Sequence, residues 1–267
     1  MTPKQAKAND LFVYALPRIN DRAMESIDDI LNKAVGWAGG YFSGLGHEYA
    51  ATNGLYAWFV DQDLAAAKQW FYLAAKLIAV STTKPVGYSN LWTCHDFMYP
   101  LLSDCSEIIE LYSTLETPEL IKHRDNPKEG WIKPNIVQVT LKGDYGKLAE
   151  LIDLLEKKGL KRSKKFNECY IQFFRGLING NLNEMEHALI YLGKQKSVDP
   201  TTEDFLAFHA VVLCKIAWLK GYPVQVDSPL VPMAFMPVNP LPFYDDVYEF
   251  LKPGWVAPPP PPEYAAK

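Results

Sequence analysis

The sequence contains few cysteines, no marked excess of either charge and no long uninterrupted apolar stretch. Its four cysteines are spaced too widely for a zinc ribbon and are too few for a secreted disulfide scaffold, so we expect reduced, buried thiols. The net charge of -4 lacks the basic excess with which nucleic-acid binders neutralise phosphates. These deficits exclude a disulfide-rich module and argue against a nucleic-acid partner.

No segment has the pattern of a secretory signal or a membrane span. The N-terminal residues MTPKQAKAND are polar and are followed by only six apolar residues, at 11–16. The longest apolar run, at 205–219, contains His209 and Lys215 and is too short to cross a bilayer. We therefore expect a cytoplasmic protein without a membrane partner.

The sequence does contain an internal repeat. LKGDYGKLAELIDLLEK at 141–157 aligns with INGNLNEMEHALIYLGK at 178–194, which places Gly143 over Gly180 at an offset of 37 residues. A repeat of this length with glycine-containing turns is typical of stacked helix pairs, because each pair buries its apolar face only against its neighbours. Apolar residues make up 48% of the chain, which is typical of a globular protein with a filled core.

Apolar residues recur at helical spacing along most of the chain. We find no alternating pattern long enough for a sheet, so the predicted fold class is all-α. The arrangement that we expect is an irregular stack of antiparallel helix pairs, TPR-like or α-solenoid-like, with its clearest repeats at 135–221. The predicted helices lie at 21–37, 48–60, 63–80 with an Asp cap, 88–115 with a break near Pro100, 119–125, 135–142, 145–158, 163–179, 182–194 and 201–220.

The C-terminal part differs in character. Six prolines between Gly221 and Pro242 exclude a helix or a sheet ladder, so we expect that segment to run extended over the surface. PFYDDVYEFLK at 242–252 predicts a short terminal helix, and the prolines at 258–262 predict a polyproline II tail. We accordingly expect one helical domain over 1–252, followed by an exposed proline-rich tail at 253–267.

Three acids offer the clearest candidate for metal chemistry. Asp245, Asp246 and Glu249 are spaced i, i+1 and i+4, which on a helix can place two carboxylates on one face, as Mg²⁺ requires. An all-α magnesium-dependent enzyme is thus one alternative. Such enzymes need a second metal motif on a facing helix, and the acidic doublet at 28–29 lacks the downstream acid. We favour a solvated helix face, and we assign no catalytic residue, metal ligand or cofactor.

Two further clusters have ordinary structural explanations. His95 and Asp96 fit a helix cap or a satisfied buried imidazole, and the single Glu-x-x-His unit of Glu184 and His187 lacks the second unit that a di-iron bundle needs. The basic run KKGLKRSKK at 157–165 has six positive charges in nine positions. We interpret it as a solvated turn that complements a helix dipole, with phosphate binding as the alternative.

The segment FLAFHAVVLCKIAWLKGYPVQVDSPLVP at 205–232 combines an amphipathic helix, a small-residue turn and an Asp-Ser-Pro-Leu-Val-Pro ending. It resembles the C-terminal portion of immunity protein family 49, whose members are encoded beside bacterial polymorphic toxins. LINGNLNEMEHAL, PFYDDVYEFL and LAAAKQWFYLAAKL are also similar to that family's pattern. The resemblance implies a protein that binds a co-produced toxin and blocks its active site, with no turnover of its own.

The partner implied by this resemblance is a cognate protein toxin. The acidic pI of about 5.8 suits a basic, nuclease-like toxin, because complementary charge speeds association. The alternative is a helical-repeat adaptor that binds another cellular protein. The residues that we expect to contact a partner are acids near turns and aromatic anchors: Asp61, Asp63, Trp92, Tyr244, Asp245, Asp246, Glu249 and Trp255.

Overall fold

The computed structural model describes residues 3–32, 35–195, 202, 204–257, 259 and 262. Over these residues the chain is mostly helical and forms no strand; a single parallel bridge joins Ala38 and Val86. The predicted all-α class is therefore confirmed, whereas the finer TPR-like arrangement stays a prediction. Within the same described part, no helix is both long and apolar enough to span a membrane.

The chain divides into two compact units. The terminal unit contains residues 3–90 and 241–267, and the central unit contains residues 91–240. The sequence led us to expect one helical domain over 1–252 and a separate tail. In the structure, residues 241–257 group with the N-terminal helices, because side chains such as Tyr244 and Phe250 pack there.

The terminal unit is built on four α-helices and one π-helical turn. Asp63 caps the last of these helices, its carboxylate accepting a hydrogen bond from the Ala66 backbone N-H at 2.9 Å, as predicted. A Cβ at Gly54 would lie 2.8 Å from the Phe71 ring, so a glycine is needed for α3 to approach α4. The elements are α1 (Pro3–Asn32), α2 (Gly39–Gly44), a π-helix (Leu45–Ala50), α3 (Ala51–Phe59) and α4 (Leu64–Thr82).

Over its described residues, the central unit contains eight α-helices. The tract predicted at 88–115 is divided as expected, but Pro100 lies inside a helix and the division falls at Asp104, whose φ is +62°. The start predicted for the last helix, residue 201, lies outside the described residues, but residues 204–207 are described and are not helical, so this helix begins later than predicted, at Phe208. The helices are α5 (His95–Ser103), α6 (Ser106–Thr114), α7 (Pro118–His123), α8 (Ile132–Lys142), α9 (Tyr145–Lys158), α10 (Lys164–Asn179), α11 (Leu182–Leu192) and α12 (Phe208–Leu219).

The internal repeat corresponds to the pairs α8–α9 and α10–α11. Gly143 and Gly180 end the first helix of each pair in the left-handed conformation, with φ of +77° and +67°, which favours glycine. Asp144 and Asn181 then cap the second helices through the backbone N-H groups three residues later. Gly221 follows α12 with φ of +86°, so the third turn of this type is also present.

The proline-rich segment (residues 221–240) forms no helix beyond a 3-10 turn at Met233–Phe235, as predicted. The expectation that it runs over the surface holds for most of its residues, but Val224, Val231, Phe235 and Met236 are buried and anchor it. The prolines interrupt regular backbone hydrogen bonding. The buried backbone carbonyl groups of this segment therefore need hydrogen-bond donors from side chains.

Lys215 on α12 satisfies much of that backbone. Its fully buried ammonium group donates to the carbonyl oxygens of Phe235, Met236 and Pro237 at 2.6, 3.1 and 3.3 Å. It also forms an ion pair with Asp104 at 2.5 Å, where both side chains are shielded from solvent. One lysine thus attaches the proline-rich segment to the core of the central unit.

The four cysteines are free and buried, as the sequence predicts. Cys94 shares a hydrogen bond of 3.2 Å with the Tyr170 hydroxyl. Burial raises the pKa of Cys94 to about 12, so this thiol stays protonated at neutral pH. His95 beside it contacts the hydroxyls of Tyr99 and Thr202 at 3.4 Å, which confirms a satisfied buried imidazole.

Candidate partner-binding surfaces

The C-terminal arm (residues 241–257) packs on the terminal unit in a largely extended conformation. The helix predicted at 242–252 is wrong; its only helical part is a 3-10 turn at Glu249–Leu251. The Gln69 side chain bonds both backbone groups of Asp245, donating to its carbonyl at 2.7 Å and accepting from its N-H at 3.1 Å. These contacts engage groups that a helix would have used internally, so an extended arm replaces the helix.

Alternate residues of the arm point toward the terminal unit. Tyr244 packs on Tyr72 with ring centroids 4.9 Å apart. Asp246 accepts a hydrogen bond of 2.6 Å from the Tyr72 hydroxyl and forms an ion pair with Lys76. Of the three acids that motivated the magnesium alternative, Asp246 is thus already bound by a lysine, and the three do not share a helical face.

The inward series continues with aromatic residues. The Tyr248 hydroxyl donates to the Tyr49 hydroxyl at 3.1 Å. Burial is the main cause that raises the pKa of Tyr248, and this hydrogen bond raises it further. Phe250 packs edge-on against Phe42 with centroids 5.5 Å apart, and Trp255 packs on the same ring at 6.4 Å. Aromatic contacts therefore hold the arm along its length.

The intervening residues point outward. Phe243 and Val247 are 75% and 48% exposed, and they alternate with the exposed acids Asp245 and Glu249. Val247 has a φ of +52°, which is a strained conformation for a β-branched residue. Lys252 forms an ion pair of 2.9 Å with Glu249. We call the surface made by Phe243, Asp245, Val247 and Glu249 the arm surface.

The structure separates the predicted contact residues into different roles. Asp245 and Glu249 lie on the arm surface, whereas Tyr244, Asp246 and Trp255 hold the arm in place. Asp63 caps α4, and Asp61 is exposed in the turn before it. Phe243 and Val247 were missed, because both faces of the arm mix apolar and acidic residues and no alternation is visible in the sequence.

Trp92 lies in the central unit, beside a cleft of ≈ 330 Å³. Its ring is 52% exposed and packs edge-on against Trp131 with centroids 6.3 Å apart. A Cβ at Gly130 would lie 2.6 Å from Trp92 Nε1, so this glycine allows the indole to lie against the loop. We call this the Trp92 cleft; its lining also includes Glu129, Trp131, Lys133, Leu160, Arg162 and Asn167.

A second, larger cleft of ≈ 690 Å³ shares Leu160 and Asn167 with the Trp92 cleft. The predicted basic turn borders it through Lys157, Lys161 and Lys164. Its charges are mixed, because acids from α9, α10 and α11 line it as well. Those acids are Glu156, Glu168 and Glu184.

Several charges of this larger cleft are already paired. Arg175 binds both carboxylate oxygens of Glu156, at 3.1 and 2.7 Å, and this hydrogen bonding raises the Arg175 pKa. His187, from the predicted Glu-x-x-His unit, bonds the Gln172 side chain rather than a metal-binding partner. The larger cleft therefore contains both signs of charge, with four basic and three acidic side chains in its lining.

The fold and these surfaces define a class, an all-α protein with an extended C-terminal arm and an aromatic cleft in its central unit. Comparison with known proteins adds no family to this description, since no family model, curated protein or solved structure matches the chain. The resemblance to immunity protein family 49 therefore stays a prediction.

Proposed function

We propose that this protein is an immunity protein that binds a cognate bacterial toxin in the cytoplasm and neutralises it by covering the toxin's active site. The observation that carries the proposal is the arm surface, where two exposed apolar side chains alternate with two acids. The opposite side of the arm is bound by side chains of the terminal unit. Productive protein interfaces combine an apolar centre with a polar rim in a similar way.

The contacts behind the arm favour binding. Gln69, Tyr72 and Lys76 hold its backbone and inward side chains, so little ordering of the arm is left to occur on association. Pre-organisation of this kind improves affinity because ordering flexible groups costs free energy. Phe243 is the natural anchor, since truncation of a central aromatic side chain costs about 2 kcal/mol or more at interface hot spots.

The acids favour a basic toxin. Asp245 and Glu249 flank the apolar residues, and the chain as a whole is acidic at -4. Charges at an interface rim mainly accelerate encounter, and their effect falls as salt increases. A basic toxin such as a nuclease therefore fits this surface better than an acidic one.

Co-expression with toxins encoded in the adjacent genes tests the proposal. We expect the wild-type protein to restore growth and to co-purify with the toxin, and Phe243→Ala to weaken the complex by at least tenfold, as for a hot-spot residue. The matched control is Val238→Ala, at an exposed apolar position of the central unit. Absence of both rescue and complex would refute the immunity proposal. Rescue that is insensitive to Phe243→Ala would refute the arm surface alone.

A further inference from the structure

The Trp92 cleft has features of a small-molecule site that toxin binding does not use. It lies in the central unit, whereas the arm surface belongs to the terminal unit. Three groups in it, Lys133, Arg162 and Asn167, lack the partners that such groups usually have in a folded protein.

Lys133 is the first of these groups. It is the second residue of α8, and its ammonium group lies 5.3 Å from the Phe166 ring centroid. No carboxylate from the described residues lies within ion-pair distance, and burial lowers the pKa of Lys133. A partly desolvated ammonium group without a counter-ion is stabilised by any anion that reaches it.

Arg162 supplies a second positive charge at the same cleft. It lies in the 3-10 turn Lys161–Ser163, is exposed, and forms no ion pair with a residue that the structure describes. Glu129 also lines the cleft, but His123 and Asn126 already bind its carboxylate, each at 2.8 Å. With Lys128, which also lines it, the cleft has three positive charges against this one carboxylate.

Asn167 lies where the two clefts meet. The residue is only 6% exposed, and its Oδ1 is buried without a hydrogen-bond partner. Leaving such a group unsatisfied is costly, whereas an amide can rotate to present either an acceptor or two donors. A ligand with a polar group at this position would satisfy it.

Trp92 and Trp131 provide an aromatic wall beside these polar groups. Planar rings stack well on exposed indole faces. The volume of ≈ 330 Å³ lies at the small end of the range for ligand pockets and suits one ring with a single acidic group.

We propose that the Trp92 cleft binds a small aromatic anion, whose ring packs on Trp92 and whose acidic group lies between Lys133, Arg162 and the Asn167 amide. A carboxylate and a phosphate monoester share this chemistry. Each is an anionic group joined to the rest of the ligand by one bond, and each has several acceptor oxygens to which lysine, arginine and amide groups can donate.

Isothermal titration calorimetry with benzoate and with phenyl phosphate tests the site and distinguishes the two acidic groups. We expect at least one of them to bind with a Kd below about 1 mM. Benzyl alcohol and benzylamine, which have the ring without the anion, should bind at least about tenfold more weakly. Cyclohexanecarboxylate, which has the anion without the planar ring, should also bind more weakly than benzoate.

Matched variants locate the binding. Lys133→Met and Arg162→Gln should each weaken the better anion by about tenfold or more, whereas Lys142→Met, on the exposed end of the same helix, should leave its Kd unchanged. Arg162 is exposed, so its variant keeps the test valid even where Lys133→Met fails to fold.

Three outcomes would overturn the proposal. They are a Kd above about 1 mM for both anions, equal binding of benzyl alcohol, and Kd values unaffected by Arg162→Gln. Tighter binding of a single-stranded RNA oligonucleotide than of phenyl phosphate would also overturn it, in favour of a nucleic-acid surface. Each result is independent of toxin rescue, so the two proposals can fail separately.

Discussion

Replacement of Lys215 by methionine should destabilise the central unit severely. Methionine has a similar length but removes the positive charge and all three donors of the ammonium group. The ion pair with Asp104 is lost in a site where both side chains have no solvent exposure, and the carbonyl oxygens of Phe235, Met236 and Pro237 lose their donor.

The size of this effect follows from burial. Removing one partner of a fully buried ion pair costs about 3–5 kcal/mol, because it leaves an uncompensated charge away from water. The unpaired carbonyl groups add to this cost, at about 1–3 kcal/mol for each that stays buried and unsatisfied. We expect a loss of at least about 3 kcal/mol, which is a large share of the about 5–15 kcal/mol that stabilises a typical domain.

Urea-induced unfolding, followed by circular dichroism and tryptophan fluorescence, measures the loss. Trp218 is a suitable reporter, because its indole N-H donates to the Val224 carbonyl at 3.0 Å at the start of the proline-rich segment. Lys142→Met is the control, since it removes an exposed lysine of the same unit. Its effect should stay within about 0.5 kcal/mol.

A double-mutant cycle with Asp104→Asn separates the ion pair from the carbonyl contacts. Asparagine tolerates the left-handed backbone at this position, where φ is +62°. The double variant should lose less stability than the sum of the two single variants, by about 1–3 kcal/mol, because neither charge is then left alone. A loss of under about 1 kcal/mol for Lys215→Met, the level of an exposed ion pair, would refute the reasoning.

Three further predictions concern the central unit. Burial, reinforced by Lys133 and His95, holds the pKa of His209 well below 6.5, so the unfolded state binds the extra proton. Stability should therefore fall by up to about 1.4 kcal/mol per pH unit below about pH 6.5, and His209→Leu should reduce this slope in urea titrations at several pH values. Gly143→Ala meets no atom within 4 Å but must adopt a φ of +77°, so it should cost about 1–2 kcal/mol, whereas Gly143→Asn should cost less. The Cys94 thiol should react with Ellman's reagent only after unfolding; fast reaction of the native protein at this residue would contradict its burial and raised pKa.

The helices of the internal repeat were predictable because their signals are local. α9 occupies 145–158 as expected, since Asp144 caps its start and apolar residues recur along one face. Gly143 and Gly180 identify the turns for the same reason, because only glycine adopts a left-handed conformation without cost. The candidate surfaces were less predictable. Asp245 and Glu249 were identified from their charge, whereas Phe243 and Val247 became candidates only once the arm was seen to be extended.

The sequence by itself determined the all-α class, the helix caps and the glycine turns, since each depends on residues within about one helical turn of one another. Tertiary structure decided the rest. Gln69 and Lys76 hold the C-terminal arm extended where a helix was predicted, and Lys215 anchors the proline-rich segment to the core. The Trp92 cleft likewise joins residues far apart in the chain. Such contacts join residues that are distant in the sequence, so no local pattern predicts them. They form because a buried polar group needs a hydrogen-bond partner, and the fold decides which partner is near.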